Sequence, residues 1–275
     1  MRSHAEEVRA GERFPFGENW RRLLASVGPE RIEHASASLT GVLGAKALEG
    51  RRFLDAGCGS GLFSLAASLR GARVVSFDFD PACVACAVEL RARFHRDAPD
   101  WRIERGSVLD AEYLARLGTF DVVYSWGVLH HTGRMWDAID LVAARVAPGG
   151  RLWIALYNDQ GAWSRAWLAI KRAYNRAPRP LRDLLLGACF VRLWGPTLLR
   201  DLAKGSALST WRGYARTGRG MSPWRDVVDW VGGLPFEVAS IAAVEDFLAA
   251  RGFEREHVVS VGRGHGCNEF VLRRR

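Results

Sequence analysis

Three glycines at alternate positions follow an acidic residue in the segment Phe53-Leu54-Asp55-Ala56-Gly57-Cys58-Gly59-Ser60-Gly61-Leu62-Phe63. An apolar run precedes Asp55 and a helical pattern follows Gly61, which indicates a turn from a strand into a helix. Glycine allows positive φ and close approach of the backbone to a ligand, and the helix start presents free N–H groups. A dinucleotide-binding turn has the spacing Gly-x-Gly-x-x-Gly. Because Leu62 directly follows the third glycine, the spacing argues against a dinucleotide and favours a different cofactor.

The spacing Gly-x-Gly-x-Gly, with an acid two residues ahead, resembles the first sequence motif of the class I S-adenosylmethionine (SAM) methyltransferases. The resemblance implies SAM as the cofactor, with the glycine loop around its amino-acid portion. It also implies that Asp55 faces the ammonium group of SAM, usually through water. The loop residues assigned to the cofactor in this way are Gly57, Cys58, Gly59 and Gly61. A glycine-rich turn without a ligand is the alternative.

An acid also follows the second predicted strand, at Asp78. In an open α/β sheet, a ligand lies beyond the carboxyl ends of the strands. A carboxylate at this position, 23 residues after Asp55, can accept both ribose hydroxyls of an adenosine. The alternative is a helix N-cap, but Asp80 before Pro81 fills that role better. We therefore assign Asp78 to the ribose, with Phe79 beside it.

The next two strand ends complete the expected cofactor site. By resemblance, the loop after the third strand borders the adenine, where Ser107 and Val108 match by position. Ser125 and Trp126 end the fourth strand and are assigned to the same site. Enzymes that methylate exocyclic base nitrogens typically carry (Asp/Asn)-Pro-Pro-aromatic here, and this chain does not. The pattern over roughly residues 50–157 instead resembles small-molecule methylases of the ubiquinone-biosynthesis type.

Two adjacent histidines, His130 and His131, follow the fourth strand, where cofactor and acceptor are expected to meet. Neutral imidazole can take the proton of a hydroxyl as the methyl group leaves sulfur. Neighbouring side chains do not point in the same direction from an extended segment or a turn, so we expect at most one base. The alternatives are a histidine bonded to backbone or packed on the cofactor, with alignment supplying much of the acceleration.

Three clusters of polar and aromatic residues are candidates for the acceptor pocket. Aromatic faces in such a pocket would also attract a sulfonium, by about 0.5–2 kcal/mol per contact. For each cluster, a turn or helix cap with packed aromatics is an equal alternative. The candidate residues are Phe16 and Trp20 before the core, Tyr157 after the fifth strand, and His265 and Asn268 near the C-terminus.

These residues require a framework of alternating strands and helices, which indicates a parallel sheet with helices on both faces. Strands are predicted over 52–55, 73–77, 101–104, 120–124 and 152–157. Helices are predicted over 61–70, 81–97, 110–117 and 134–147, the last stopped by Pro148-Gly149-Gly150. Two final strands, 253–261 and 267–273, form a hairpin, as in the class I methyltransferase sheet with its antiparallel last strand. We therefore predict an α/β, Rossmann-like, seven-stranded sheet with a helical insertion.

The chain divides into four parts on this basis. They are an N-terminal helical cap over 1–50, a SAM-binding core over 51–157, a basic helical insertion over 158–235 and a C-terminal part of the core over 236–275. We expect the insertion to act as a lid or acceptor-recognition element.

The formal net charge of +9 is concentrated in the insertion, because residues 158–223 hold twelve Lys or Arg and three Asp. A solvated helical face explains this, as does a surface for an anionic acceptor. A third explanation is contact with anionic lipid or a lipid-linked substrate, since 184–202 combines Leu, Phe and Trp with Arg like an interfacial helix. Nucleic acid is disfavoured because no RNA-binding motif accompanies the basic residues.

The composition fits an intracellular enzyme with one large core. A chain of 275 residues with 48% hydrophobic residues can bury a full core. No apolar run is long enough for a bilayer and no signal pattern opens the chain, so we expect a cytoplasmic protein. Five cysteines do not indicate a disulfide framework. The pair Cys83 and Cys86 lacks the partners of a zinc site, so no metal is expected.

The sequence therefore predicts a SAM-dependent methyltransferase for a small-molecule acceptor, with O-methylation favoured over N-methylation. One alternative is methylation of RNA, a glycan or a lipid-linked acceptor through the basic insertion. A non-catalytic SAM-binding scaffold is an alternative of another class, but the intact glycine loop and the acid at Asp78 argue against it.

Overall fold

The structure, a computed structural model, describes residues 3–24, 27–44, 46–206, 208–217 and 222–275. Its centre is a seven-stranded sheet with the strand order β3-β2-β1-β4-β5-β7-β6. The first five strands run parallel, and β7 pairs antiparallel with both β5 and β6. This topology confirms the predicted methyltransferase-type sheet. The strands are β1 (Arg52–Ala56), β2 (Arg73–Asp78), β3 (Trp101–Arg105), β4 (Phe120–Trp126), β5 (Val146–Tyr157), β6 (Phe253–Val259) and β7 (Cys267–Arg274).

The described residues form twelve α-helices and one 3₁₀ turn, Leu129–His131, after β4. Two of the helices begin with a proline behind an N-cap, as at Asp80-Pro81, where the Asp80 carboxylate accepts the Ala82 N–H. The helices are α1 (His4–Arg9), α2 (Phe16–Leu24), α3 (Pro29–Leu43), α4 (Leu62–Leu69), α5 (Pro81–Phe94), α6 (Ala111–Leu117), α7 (Met135–Ala143), α8 (Ala162–Arg176), α9 (Arg179–Ala203), α10 (Ser209–Thr217), α11 (Pro223–Gly232) and α12 (Ile241–Ala249).

Alternate residues of the central strands supply two cores, one on each face of the sheet. Phe53 and Val122 pack against α3, α4 and α5, whereas Leu54 and Val123 pack against α6, α7 and α12. All four side chains are buried. The sequences of these strands are therefore continuous apolar runs, and the carboxyl ends of the strands are fixed at one edge of the sheet.

The predicted helix stop at Pro148-Gly149-Gly150 is wrong. Helix α7 already ends at Ala143, and β5 begins at Val146, before the proline. The three residues form an irregularity inside β5, where the register against β4 shifts. Gly149 has φ of 73°, and a Cβ on Gly150 would lie 2.9 Å from two carbonyl oxygens, so the site requires glycine.

Helices α8 to α11 occupy the insertion and pack around their own apolar cluster, which includes Trp167, Leu186 and Trp230. Tyr157 at the end of β5 and Phe236 after α11 join this cluster to the sheet. A parallel bridge between Asn158 and Ala239 returns the chain to the sheet edge after the insertion. In the described parts of the chain, no helix combines the length and apolar character needed to cross a bilayer.

Candidate active site

A cavity of about 710 Å³ opens at the carboxyl ends of the parallel strands. One half is lined by the glycine loop and by the residues after β2, β3 and β4. The other half is lined by α9, α10, α11 and the hairpin that ends in β7. This volume is typical of a small-molecule site. We refer to the two parts as the strand-end half and the helical half.

The glycine loop adopts a shape that other residues would strain. Gly57, Gly59 and Gly61 have φ of 87°, 53° and 80°. A Cβ on Gly57 would lie 2.4 Å from the Val128 side chain. A Cβ on Gly61 would lie 2.7 Å from Ala87, because this glycine packs against α5. Gly57, Cys58 and Gly59 therefore line the cavity, whereas Gly61 begins α4 and does not.

Two carboxylates stand at the ends of β1 and β2: Asp55 is buried and Asp78 is half-buried. Asp55 accepts the hydroxyl of Ser64 at 2.5 Å. Asp78 accepts the N–H groups of Gly59 and Asp80, each at 2.9 Å. A carboxylate has about four lone-pair positions, so these two bonds leave Asp78 able to accept further donors from the cavity. Burial raises the pKa of Asp78 to about 6.

The N-terminal helices cover the loop after β2. The ring of His4 lies 5.7 Å from that of Phe79, and the guanidinium of Arg13 lies 5.1 Å from the same ring. Asp80 holds the segment by accepting the Gly17 N–H at 2.9 Å. The cavity lining includes His4, Arg13, Phe79 and Asp80, of which His4 and Arg13 were not predicted. No local pattern points to them, because the contact joins segments distant in sequence.

The residues after β3 and β4 divide between the cavity and the core. Ser107, Val108 and Trp126 line the strand-end half. Ser125 does not line it, because its hydroxyl is fully buried and donates to the Ala56 carbonyl at 2.7 Å. The side chain of Ser125 therefore ties β4 to β1.

The two histidines differ in orientation, as expected for neighbours in a turn. His131 lines the cavity, and its Nδ1 lies 2.6 Å from the Pro235 carbonyl. Since a carbonyl only accepts, Nδ1 carries the proton and Nε2 keeps a lone pair. Burial lowers the pKa of His131 to about 3, so the imidazole is neutral at physiological pH.

His130 faces the interior and does not line the cavity. Its Nδ1 lies 3.3 Å from the Tyr157 N–H, and its ring lies 3.8 Å from the Tyr157 ring. Burial lowers the pKa of His130 well below its ordinary value. The geometry gives His130 a packing role at the end of β5 and leaves His131 as the base candidate.

Four of the five predicted acceptor residues line the cavity, namely Phe16, Trp20, Tyr157 and His265. Phe16 lies 4.8 Å from the His131 ring, and the Trp20 indole would lie 3.1 Å from a Cβ on Gly59. Asn268 lies outside the cavity. Its amide donates to Asn158 at 3.0 Å and accepts from Val261 at 3.1 Å, so it closes the hairpin loop.

Helix α11 contributes Val227 and three polar or aromatic residues to the cavity lining, Asp226, Asp229 and Trp230, none of which was predicted. Their spacing of three and four residues places them on one helical face. Asp226 accepts the Tyr214 hydroxyl at 2.6 Å, and Asp229 accepts the Asn19 amide at 2.8 Å. The Ser222 N-cap and this spacing were available in the sequence, but nothing local tied the helix to the sheet edge.

The charge inside the cavity is opposite to that of the insertion. Arg13 is the only Lys or Arg among the described lining residues, against seven Asp or Glu. Arg13 is itself paired with Glu7 and donates to the His131 carbonyl at 3.1 Å. None of the ten basic residues of 158–223 whose side chains the structure describes is among these lining residues. Within the described chain, no group of three or more His, Cys, Asp or Glu is arranged for a metal ion.

The strand order of the sheet is that of the class I methyltransferase fold. A family model described as a methyltransferase domain matches residues 29–185. The chain therefore belongs to the class I SAM-dependent methyltransferases, enzymes whose methyl donor is S-adenosylmethionine.

Curated relatives and solved structures agree with this assignment. The ubiquinone biosynthesis O-methyltransferase of Xanthomonas campestris pv. campestris (strain B100) is 30% identical over 212 residues, which cover 74% of this chain and 77% of the relative. The fold is similar to that of magnesium protoporphyrin IX methyltransferase from Synechocystis PCC 6803 with bound S-adenosylhomocysteine, with a TM-score of 0.55, 14% identity and 94% of each chain covered. A SAM-dependent methyltransferase from Mesorhizobium loti gives 0.51 at 18% identity, over 86% of this chain and 98% of that one.

Proposed function

We propose that this enzyme methylates a hydroxyl oxygen of a small-molecule acceptor held in the helical half of the cavity. The observation that carries the proposal is the hydrogen bond of His131 Nδ1 to the Pro235 carbonyl, which leaves Nε2 unprotonated on a residue that lines the cavity. The name O-methyltransferase of relatives at 28–30% identity supports oxygen as the methylated atom.

The strand-end half suits SAM, which supplies an electrophilic methyl group on a sulfonium when bound. We assign Asp55 and the loop residues Gly57 to Gly59 to its amino-acid portion, with Asp55 facing the ammonium. Asp78 would hold the ribose hydroxyls with its free lone pairs. Phe79, Ser107, Val108 and Trp126 would border the ribose and adenine. The negative charge of this half also favours a cationic cofactor.

His131 would act as the general base. Its Nε2 would take the hydroxyl proton while the acceptor oxygen bonds to the methyl carbon and the electron pair of the broken S–C bond stays on sulfur. The Pro235 carbonyl would keep its bond to Nδ1 and stabilise the imidazolium. In this proposal, residues 1–50 cover the cofactor and residues 158–235 cover the acceptor.

The variant His131→Asn tests the base directly. Asparagine can keep a donor toward Pro235 but has no basic nitrogen at the Nε2 position. The enzyme is incubated with labelled SAM and a metabolite extract, and methylated products are identified by mass. We expect His131→Asn to lower kcat by about 10²- to 10⁴-fold. The comparison variant is His130→Asn, which should retain turnover if it folds. Near-normal kcat in His131→Asn would contradict the base assignment.

A second proposal concerns the outer face of α9, which supports contact with anionic lipid or delivery of a lipid-linked acceptor. Exposed apolar residues recur there mostly at intervals of three, four or seven positions, flanked by exposed Arg192 and Arg200, and Asp183 is the only exposed acid of this described helix. The apolar positions are Leu181, Leu184, Val191, Leu198, Leu199 and Leu202. Co-sedimentation with phosphatidylglycerol vesicles, but not with phosphatidylcholine vesicles, is the expected result. Absence of binding at low salt would contradict it.

A further inference from the structure

The helical half of the cavity combines aromatic walls with two carboxylates. Its aromatic residues include Trp194, Tyr214 and Trp230. Asp226 and Asp229 lie one helical turn apart on α11 and both face this space. Since the cofactor assignment uses none of these residues, their chemistry is left for the acceptor.

Neither carboxylate has a counter-ion among the described residues. The hydrogen bonds of Asp226 and Asp229 come from the neutral Tyr214 hydroxyl and Asn19 amide, and no described cation lies within 4.0 Å of either. Because burial without a paired cation penalises the charged form, the pKa of Asp229 rises to about 8, and that of Asp226 is also raised.

Three positively ionisable groups lie near the pair without pairing to it. Lys171 is fully buried behind Trp230, bonds to the Trp230 carbonyl and does not line the cavity. Arg225 donates to the Asn19 carbonyl at 3.3 Å. His265 is held largely neutral, because burial lowers its pKa. In the described part of the chain, no cation therefore neutralises Asp226 or Asp229 on the cavity side.

Trp230 places an unpaired donor at the wall of the cavity. The residue lines the cavity, and its indole Nε1 is buried and has no hydrogen-bond partner among the described residues. A polar ligand that reaches Nε1 would relieve the free-energy penalty of a buried donor without a partner. Its rings, with those of Tyr157 and Tyr214, also offer the faces that attract ammonium groups.

We infer that the acceptor is an aromatic hydroxyl compound that carries an amino group, bound as ammonium by Asp226 and Asp229 within the aromatic walls. This inference rests on the proposed function and adds the class of acceptor. It differs from the expectation of an anionic acceptor from the basic insertion, because the described basic side chains of the insertion do not line the cavity and the two acids do. An anionic acceptor would meet two acidic side chains and, among the described residues of the helical half, no Lys or Arg.

The test uses three probes that differ in charge on one phenol scaffold: tyramine, tyrosol and 4-hydroxyphenylacetate. Each is titrated by calorimetry into the enzyme saturated with S-adenosylhomocysteine. We expect the amine to bind at least about tenfold more tightly than the neutral alcohol, and the carboxylate to bind most weakly. Asp229→Asn and Asp226→Asn should each remove most of the amine's advantage and leave the alcohol unchanged. The control Asp183→Asn removes an exposed acid on α9 and should change nothing.

Several results would overturn the inference. One is an equal or reversed order of affinity for the three probes, and another is an unchanged order in both α11 variants. A third is no binding of any probe at about 10 mM, a concentration that detects even Kd values near 1 mM. Melting curves of the variants check that each is folded. Binding of S-adenosylhomocysteine is measured first, so that its failure, which would overturn the proposed function, is distinguished from failure of the acceptor class alone.

Discussion

Lys171 offers a test of the helical half that needs no acceptor. Its side chain is fully buried, and Nζ lies 4.7 Å and 4.6 Å from the rings of Trp230 and Phe236. Nζ also donates to the Trp230 carbonyl, and Asn175 donates to the Gly232 carbonyl at 2.7 Å. Lys171 therefore helps to fix the C-terminal end of α11. Burial lowers the pKa of Lys171 to about 7, although the Asp229 carboxylate opposes the shift.

Stability depends on pH here because Lys171 binds its proton differently in the folded and the unfolded chain. Unfolded lysine has a pKa of about 10.4. Between about pH 7 and this value the unfolded chain binds a proton that the folded chain does not, so stability rises with pH. The slope is at most about 1.4 kcal/mol per pH unit, which amounts to about 2 kcal/mol from about pH 7.5 to about pH 9. Below pH 7 this contribution is flat.

The assay is urea unfolding of the wild type and of Lys171→Met at these two pH values. We expect the wild type to gain about 2 kcal/mol relative to the variant between them. Loss of the Lys171 charge would raise the pKa of Asp229 further. This shift would increase the expected difference in stability between the wild type and the variant. The control Lys204→Met removes an exposed lysine at the end of α9 and should follow the wild type. If the free energy of unfolding changes equally in the wild type and in Lys171→Met between the two pH values, the reasoning is refuted.

Three further predictions follow from the site. Gly57→Ala should destabilise the fold by about 1–3 kcal/mol in urea unfolding, because φ is 87° and the Cβ meets Val128; unchanged stability would contradict this. Because burial lowers the pKa of His131 to about 3, the pH profile of kcat should show no inflection near pH 6.5 that His131→Asn abolishes, and such an inflection would contradict the lowered pKa of His131. Asn268→Ala should lower the melting temperature but retain cofactor binding in calorimetry, and loss of binding in a folded variant would place this residue in the site.

The cofactor half and the sheet were predictable because their signals are local. The glycine spacing, the acids after β1 and β2, and the alternation of strands and helices each lie within a short stretch of chain. The same local reasoning was wrong at Pro148-Gly149-Gly150. A helix stop and a strand irregularity use the same residues, and only pairing with β4 distinguishes them.

The helical half was not predictable because long-range packing creates it. Asp226 and Asp229 face the cavity only because α11 packs on α2, where Asn19 meets Asp229. His130 and His131 could not be told apart in the sequence, since the choice depends on the Pro235 carbonyl 104 residues away. The position of the ten described basic side chains of 158–223 outside the cavity likewise depends on the packing of the insertion helices.

The most direct test of the account is calorimetric titration of S-adenosylhomocysteine into the wild type, Asp78→Ala and Asp110→Ala. Asp110 caps α6 and does not line the cavity, so it is the matched control. We predict binding by the wild type and by Asp110→Ala. Loss of two hydroxyl bonds to a carboxylate should weaken binding by about 3 kcal/mol in Asp78→Ala, which is about 100-fold. No binding by the wild type, or unchanged affinity in Asp78→Ala, would contradict the account.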